Sequence, residues 1–327
     1  MGNPNNPTRC PMFKATYDAC EELTRTFSSI WRIYAGLIKL YDDTTDFYRN
    51  KPDASNEEAE QKILGGRPIQ GLDLKHLATK SSLEDSEQYI ARMLLINSIA
   101  IFDEWVENFV RATILEDTSE TTQTNWAVIT PNKPTSSQIE KAFKSGCFEV
   151  YTSVLELERP SKLADAFSCI EHRQDKYLES LHSIFKYFKH CRNCCAHGDK
   201  TFNDKCEESY RILKSISPKD CGMDEVPAFA PSHKGDELIL ILRGVVGFTH
   251  VLIRIMKHFD ALATQYLAVE NELKQEVLPR FIESKKKSHK FKEGMIEKLL
   301  ARTHHCPPQA GRAIDIYEFL EEEASKK

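Results

Sequence analysis

The segment SEQYIARMLLINSIAIFDEWVENFVRATIL, residues 86–115, carries apolar side chains at steps of three and four along its whole length. A strand would alternate instead. Met93, Ile96, Ile99, Phe102, Val106 and Phe109 fall on one arc, while Asp103, Glu104, Glu107 and Arg111 gather on the other. A helix of this length must bury its stripe against further helices. The segment FKATYDACEELTRTFSSIWRIYAGLIKLYDDTTDFY, residues 13–48, has the same period and predicts one long helix or two. Thirteen glycines and fourteen prolines in 327 residues are few for a turn-rich all-β architecture. With no repeat and no sustained strand alternation, the sequence predicts an all-α protein.

Between the two periodic segments, residues 49–86 are turn-rich and polar, and a helix start is expected near Ser82 or Asp85. The stretch 116–138 reads as a loop of Thr, Ser, Asn and Pro. Two shorter helices are predicted over 137–157 and 161–197. Glu158-Arg159-Pro160 separates them, Ser161 is the expected cap of the second, and a break is expected near Glu171 to Asp175. Residues 199–235 read as a loop with one helical piece at ESYRILKSI, and a long helical region follows over about 236–283. A basic run KKKSHKFK (285–292) and an acidic helix DIYEFLEEEASKK close the chain, and His304-His305 read as part of this tail.

A net charge of −5 creates no global field for nucleic acid, so RNA binding needs a local basic surface. The opening MGNPNNPTRCPMFK has no apolar signal segment, and Asn6 stands where a myristoylation signal needs Ser or Thr. The most apolar run, LILILRGVVGFTHVLIRIM (238–256), includes Arg243 and Arg254, which suits a buried helix better than a membrane span. The ten cysteines are accordingly expected to be reduced thiols of a cytoplasmic protein.

The stretch HCRNCCAHGD, residues 190–199, ends the helix predicted over 161–197, with Gly198 as its terminator. Cys191-x2-Cys194, with Cys195, His197 and Cys206 close in sequence, offers soft metal ligands. A structural zinc site usually has a second separated pair, and His304-His305-Cys306 is the only distant candidate, so no metal is expected. A thioredoxin-like dithiol lacks its strand–helix setting. At about 100° per residue, Leu181, Ile184, Phe185, Phe188, Cys191 and Cys195 share an arc, which makes Cys191 and Cys195 small core residues. Lys186, His190, Asn193 and His197 line the opposite arc, where Asn193 can orient the His197 imidazole from one turn away. Arg192 falls within the apolar arc. An unpaired buried guanidinium is costly, so it should meet an anion, a carboxylate or another subunit. The plainer alternative is a basic helix end that complements the dipole, with Arg192 paired to an acidic neighbour.

Arg192-Asn193-Cys194-Cys195-Ala196-His197-Gly198 resembles the R-N-x-x-x-H pattern of the HEPN superfamily, all-α domains of which many are metal-independent RNA endonucleases. The motif's setting is similar too. It ends an amphipathic helix, an earlier long helix carries IFDEWVENF, and a long apolar helix follows, so the likeness spans roughly residues 86–283. It implies a HEPN-like helical bundle as the core (86–283), with extra N-terminal helices and a linker before it (1–85) and a basic and acidic C-terminal helical tail after it (284–327). It further implies a homodimer in which two motif helices meet across a two-fold axis in one composite cleft, which would give Arg192 its reason to lie on an apolar arc. On an ideal helix Arg192 and His197 stand about 140° apart. Arginine's length, fraying at Gly198 or the second subunit would close that gap.

The implied reaction is transesterification without a cofactor. His197 takes the proton of a ribose 2′-hydroxyl, which attacks the adjacent phosphate. Arg192 stabilises the phosphorane-like charge, Asn193 orients His197 or the phosphate, and the second His197 protonates the leaving 5′-oxygen. The products are a 2′,3′-cyclic phosphate and a 5′-hydroxyl. Lys186 and His190 extend the polar stripe as candidate phosphate contacts. Asp103, Glu104 and Glu107 are candidate partners of Arg192 or walls of the cleft, with solvated face residues as the alternative. The basic run 285–292 could supply the local positive surface. Such a ribonuclease would serve as a toxin or antiviral effector, held by an antitoxin or awaiting an activating partner. Two other readings stay open: a non-catalytic HEPN-like module that binds a nucleotide or a protein, favoured by the acidic net charge, and an unrelated helical scaffold.

Overall fold

A computed structural model of the chain describes residues 11–114, 134–196, 201–287 and 292–326. The first helix, α1, runs over Lys14–Asn50 in one piece. Two short helices follow, α2 (Asn56–Ile63) and α3 (Leu74–Thr79), and then α4 (Leu83–Thr113). Ser82 caps α4: its hydroxyl accepts the Asp85 N–H at 2.9 Å. Next come α5 (Ser136–Ser145) and α6 (Phe148–Leu155), parted by Gly146 in the left-handed region at φ 88°. A 3-10 turn at Ser168–His172 leads to α7 (Leu178–Ala196), α8 (Asp204–Leu213) and α9 (Pro218–Cys221). The chain continues through α10 (Leu242–Ala263), α11 (Ala268–Glu272), a π turn (Leu273–Val277) and α12 (Leu278–Lys287), and ends with α13 (Lys292–Arg302) and α14 (Ala313–Ser325). Among the described residues there is no strand, only isolated bridges, so the fold is all-α. No described helix is long and apolar enough to cross a membrane.

The long helices pack in pairs: α4 against α1, α7 and α10, and α10 against α1 and α7. Large aromatics fill the centre. Phe102, Trp105 and Phe109 of α4 meet Phe143, Tyr151 and Phe185, and Phe148 and Phe259 pack on Phe143 behind them. These rings also set the rotation of α4. Its buried face is centred on Ala91, Leu95, Ser98, Phe102, Trp105 and Phe109, while Met93 and Ile96, expected within the stripe, are 52% and 36% exposed. The helix is apolar on more than one arc, and the arc with Trp105 and the phenylalanines has more surface to remove from water.

The region 236–283 departs from the single long helix expected. Leu238–Ile241 is extended, because the Gln88 side-chain carbonyl accepts the Leu240 N–H at 2.8 Å and its amide donates to the Leu240 carbonyl at 2.5 Å. Residues 161–177 form turns rather than a helix. The Ser161 hydroxyl donates to Glu270 at 2.8 Å and accepts the Leu163 N–H at 3.0 Å, which ties the segment to α11.

One apolar cluster extends from Met12 to Leu320 and draws on all three segments that the sequence reading separates. At its edge, α1 is capped from far along the chain. Asp260 of α10 accepts the Met12 and Phe13 N–H groups at 2.7 and 2.9 Å, and Glu272 accepts that of Lys14 at 2.9 Å. His305, expected in a solvated tail, is buried with Nε2 3.2 Å from Glu272, because α13 and α14 pack into the same core. The distal end of α1 carries a satellite cluster of Tyr48, Ala54, Ala59 and Leu74.

Candidate functional site

Two apolar faces hold α7 in place. Phe185 and Phe188 stack toward Phe102 and Phe248, at 5.0 and 4.6 Å between ring centroids. Tyr187 faces the other way, toward Tyr210 of α8 and Phe229. This second arc continues through Cys191 to Cys194, so Cys194 is buried, and Cys195, expected in the core, is only half-buried. A single-stripe reading of the helix misses the second face because α8 is the neighbour that defines it.

At the last turn of α7 the Arg192 guanidinium is half-buried. Its Nη1 donates to the Asn193 side-chain oxygen at 3.3 Å, and its Nε is buried with no hydrogen-bond acceptor. Among the described residues no carboxylate forms an ion pair with Arg192. The acidic candidates on α4 are placed elsewhere. Asp103 accepts from Lys189 at 3.1 Å, both side chains being partly buried, while Glu107 pairs with Lys144 and Glu104 is exposed. Lys186 is exposed. His190 is half-buried, and burial pushes its imidazole below the ordinary value, with Lys205 and Lys186 acting in the same direction against Glu208. His197 and Gly198 lie outside the described residues, as do residues 288–291 of the basic run. The expected Asn193–His197 contact is therefore outside them as well.

Two residues that the sequence reading passed over belong to this region. Lys189 is the partner of Asp103. Arg92 of α4 is also partly buried: it pairs with Glu237 at 3.1 Å, donates to the Leu238 carbonyl at 3.3 Å and keeps a buried Nε without an acceptor. Glu237 in turn bridges Thr201, where the described chain resumes after α7, and the Phe202 N–H donates to the Asp236 carbonyl at 2.9 Å. A second arginine thus stands beside the segment that follows the motif helix. The signal was available: Gln88 and Arg92 interrupt the apolar pattern of α4 at a four-residue step.

Lys189 and Asp103 satisfy each other, as a partly buried pair must. Arg192 does not have that compensation. It presents a planar donor fork beside an amide, a combination suited to phosphate or carboxylate oxygens. Among the described residues, no group of three His, Cys, Asp or Glu side chains is arranged to hold a metal ion. No family model, no curated protein and no solved structure matches the chain significantly.

Proposed function

We propose that the chain is a metal-independent endoribonuclease that cleaves by 2′-hydroxyl attack, with Arg192, Asn193 and His197 as its catalytic set and a toxin or antiviral role. The observation that carries this reading is the unpaired guanidinium of Arg192 at the end of α7, half-buried and with no carboxylate partner among the described residues. A structural arginine in such a place is ordinarily neutralised by its own chain. One that is not neutralised is held ready for an outside anion, and a phosphodiester passing through a pentacoordinate state is the anion whose charge this fork matches. His197, five residues on, is the general base of the reading, and Asn193 orients it or the phosphate.

The homodimer in this proposal has a surface to use. Tyr89, Met93 and Ile96 of α4, at steps of four and three, are 65%, 52% and 36% exposed on the helix against which α7 packs. An antitoxin or activating partner would act on the same cleft.

The test is incubation of the purified protein with total RNA in excess chelator, followed by end-mapping of the products. Cleavage leaving 2′,3′-cyclic phosphate and 5′-hydroxyl ends is expected, with DNA spared. Arg192→Ala is expected to lower the rate by about 10²–10³-fold, and His197→Ala by about 10²–10⁴-fold, in folded protein. Equal activity of all three proteins would identify a contaminant. Silence of a folded wild type that remains monomeric would instead favour the non-catalytic module that binds a nucleotide or protein.

A further inference from the structure

The sulfur atoms beside the motif have an arrangement that the nuclease reading leaves unused. Cys194, in the last turn of α7, and Cys206, in the first turn of α8, have their Sγ atoms 3.5 Å apart. The Asn203 side chain pins both: its Oδ1 accepts the Cys206 N–H at 3.0 Å and its Nδ2 donates to the Cys194 sulfur at 3.2 Å. Cys191 is the third buried thiol of the group, one turn before Cys194.

We propose that Cys194 and Cys206 form a reversible disulfide, a bridge that ties the end of α7 to the start of α8 and is made by hydrogen peroxide. The bond needs its two sulfurs brought to about 2 Å, a closure within reach of side-chain rotation from 3.5 Å. The two sulfurs have different roles. Cys206 accepts hydrogen bonds from Cys191 and Cys194, which outweigh its burial and bring its thiol down to about 7, and it sits at the positive end of α8. Burial pushes Cys194 up to about 12. Its place in the first turn of α8 makes Cys206 the attacking thiolate and Cys194 the resolving thiol, and with the two residues 0% and 5% exposed the oxidant must be as small as hydrogen peroxide.

The steps balance. The Cys206 thiolate attacks the distal peroxide oxygen: an S–O bond forms, the O–O bond breaks, and hydroxide leaves and takes up a proton to become water. The sulfur is oxidised by two electrons and the peroxide reduced. The Cys194 sulfur then attacks the sulfenic sulfur, the S–S bond forms, and the hydroxyl leaves as a second water with the proton of Cys194. A small dithiol reverses the bridge by exchange. This inference stands independently of the nuclease reading, although the loop closed in sequence, residues 195–205, contains His197.

The experiment treats the full-length protein with hydrogen peroxide, traps remaining thiols by alkylation and maps peptides by mass spectrometry. The expected result is one linked peptide pair containing Cys194 and Cys206, with the mass lower by about 2 Da for the two hydrogens lost, and its disappearance after dithiothreitol. In the double variant Cys191→Ser/Cys194→Ser, which removes both thiols in contact with Cys206, a sulfenic acid on Cys206 is expected to persist and to be captured by dimedone. The proposal is overturned if Cys194 and Cys206 stay fully alkylatable, if Cys206 is linked to Cys191 or Cys195 instead, or if native mass spectrometry finds a zinc ion on the three thiols. None of these readouts depends on RNA cleavage, so the disulfide and the ribonuclease can fail separately.

Discussion

His258 shows how one buried side chain makes the stability of the fold depend on pH. It is buried on α10, where the Gln174 N–H donates to its Nδ1 at 2.9 Å, an interaction open only to the neutral ring. Burial, with Arg173 assisting and Asp175 opposing, brings its imidazole down to about 4 from 6.5. The folded state thus binds the proton less readily than the unfolded chain. The stabilisation is complete above pH 6.5 and is lost as the pH falls through about 4. Between pH 8 and pH 5 this residue alone should lower the unfolding free energy by about 2 kcal/mol. Urea titrations at the two pH values would measure it. His258→Asn keeps an acceptor near Nδ1 and cannot titrate, so it should flatten the slope, and an unchanged slope would discard the assignment. Arg192 teaches a related lesson. Its oddness on an apolar arc was legible in the sequence, but the lack of a carboxylate partner was not. Asp103 is engaged by Lys189, and that choice depends on how α4 and α7 meet.

At the scale of elements, α1, α4 and α7 were legible because each carries its own period through many turns. The stretch 236–283 was not. LILI has no period that separates helix from strand, and the residue that holds it extended, Gln88, is 152 positions away. Glycines on two helices should respond in opposite ways. At Gly244 of α10 an added Cβ would come within 1.7 Å of the Ala228 carbonyl oxygen, because the segment 226–230 crosses the helix there. Gly36 of α1 has nothing within 4 Å. Gly244→Ala should destabilise the protein by about 3 kcal/mol, whereas Gly36→Ala should stabilise it by about 0.5–1 kcal/mol through better helix propensity. Thermal melts of the two variants would check both signs. A Gly244→Ala protein with unchanged Tm would mean that 226–230 does not lie on α10.

For the molecule as a whole, the resemblance separated an extension, a core and a tail around one motif and its neighbouring helices, whereas burial is decided by distant partners. Leu300, Cys306, Ile316 and Leu320 from the end of the chain share a core with Met12, Leu23 and Phe102. A chain stopped after residue 283 should therefore lose cooperative unfolding and expose apolar surface, measured by circular dichroism melting and dye binding. A truncated protein that melts as sharply as the full chain would restore the tail to an appendage. The remote capping of α1 has a further consequence for biosynthesis. Its opening amides wait for acceptors at positions 260 and 272, between 247 and 258 residues further along, and a ribosome releases those long after the helix itself has emerged. Vectorial folding cannot complete this helix start from local sequence, and the nascent chain must carry its first turn uncapped across that interval.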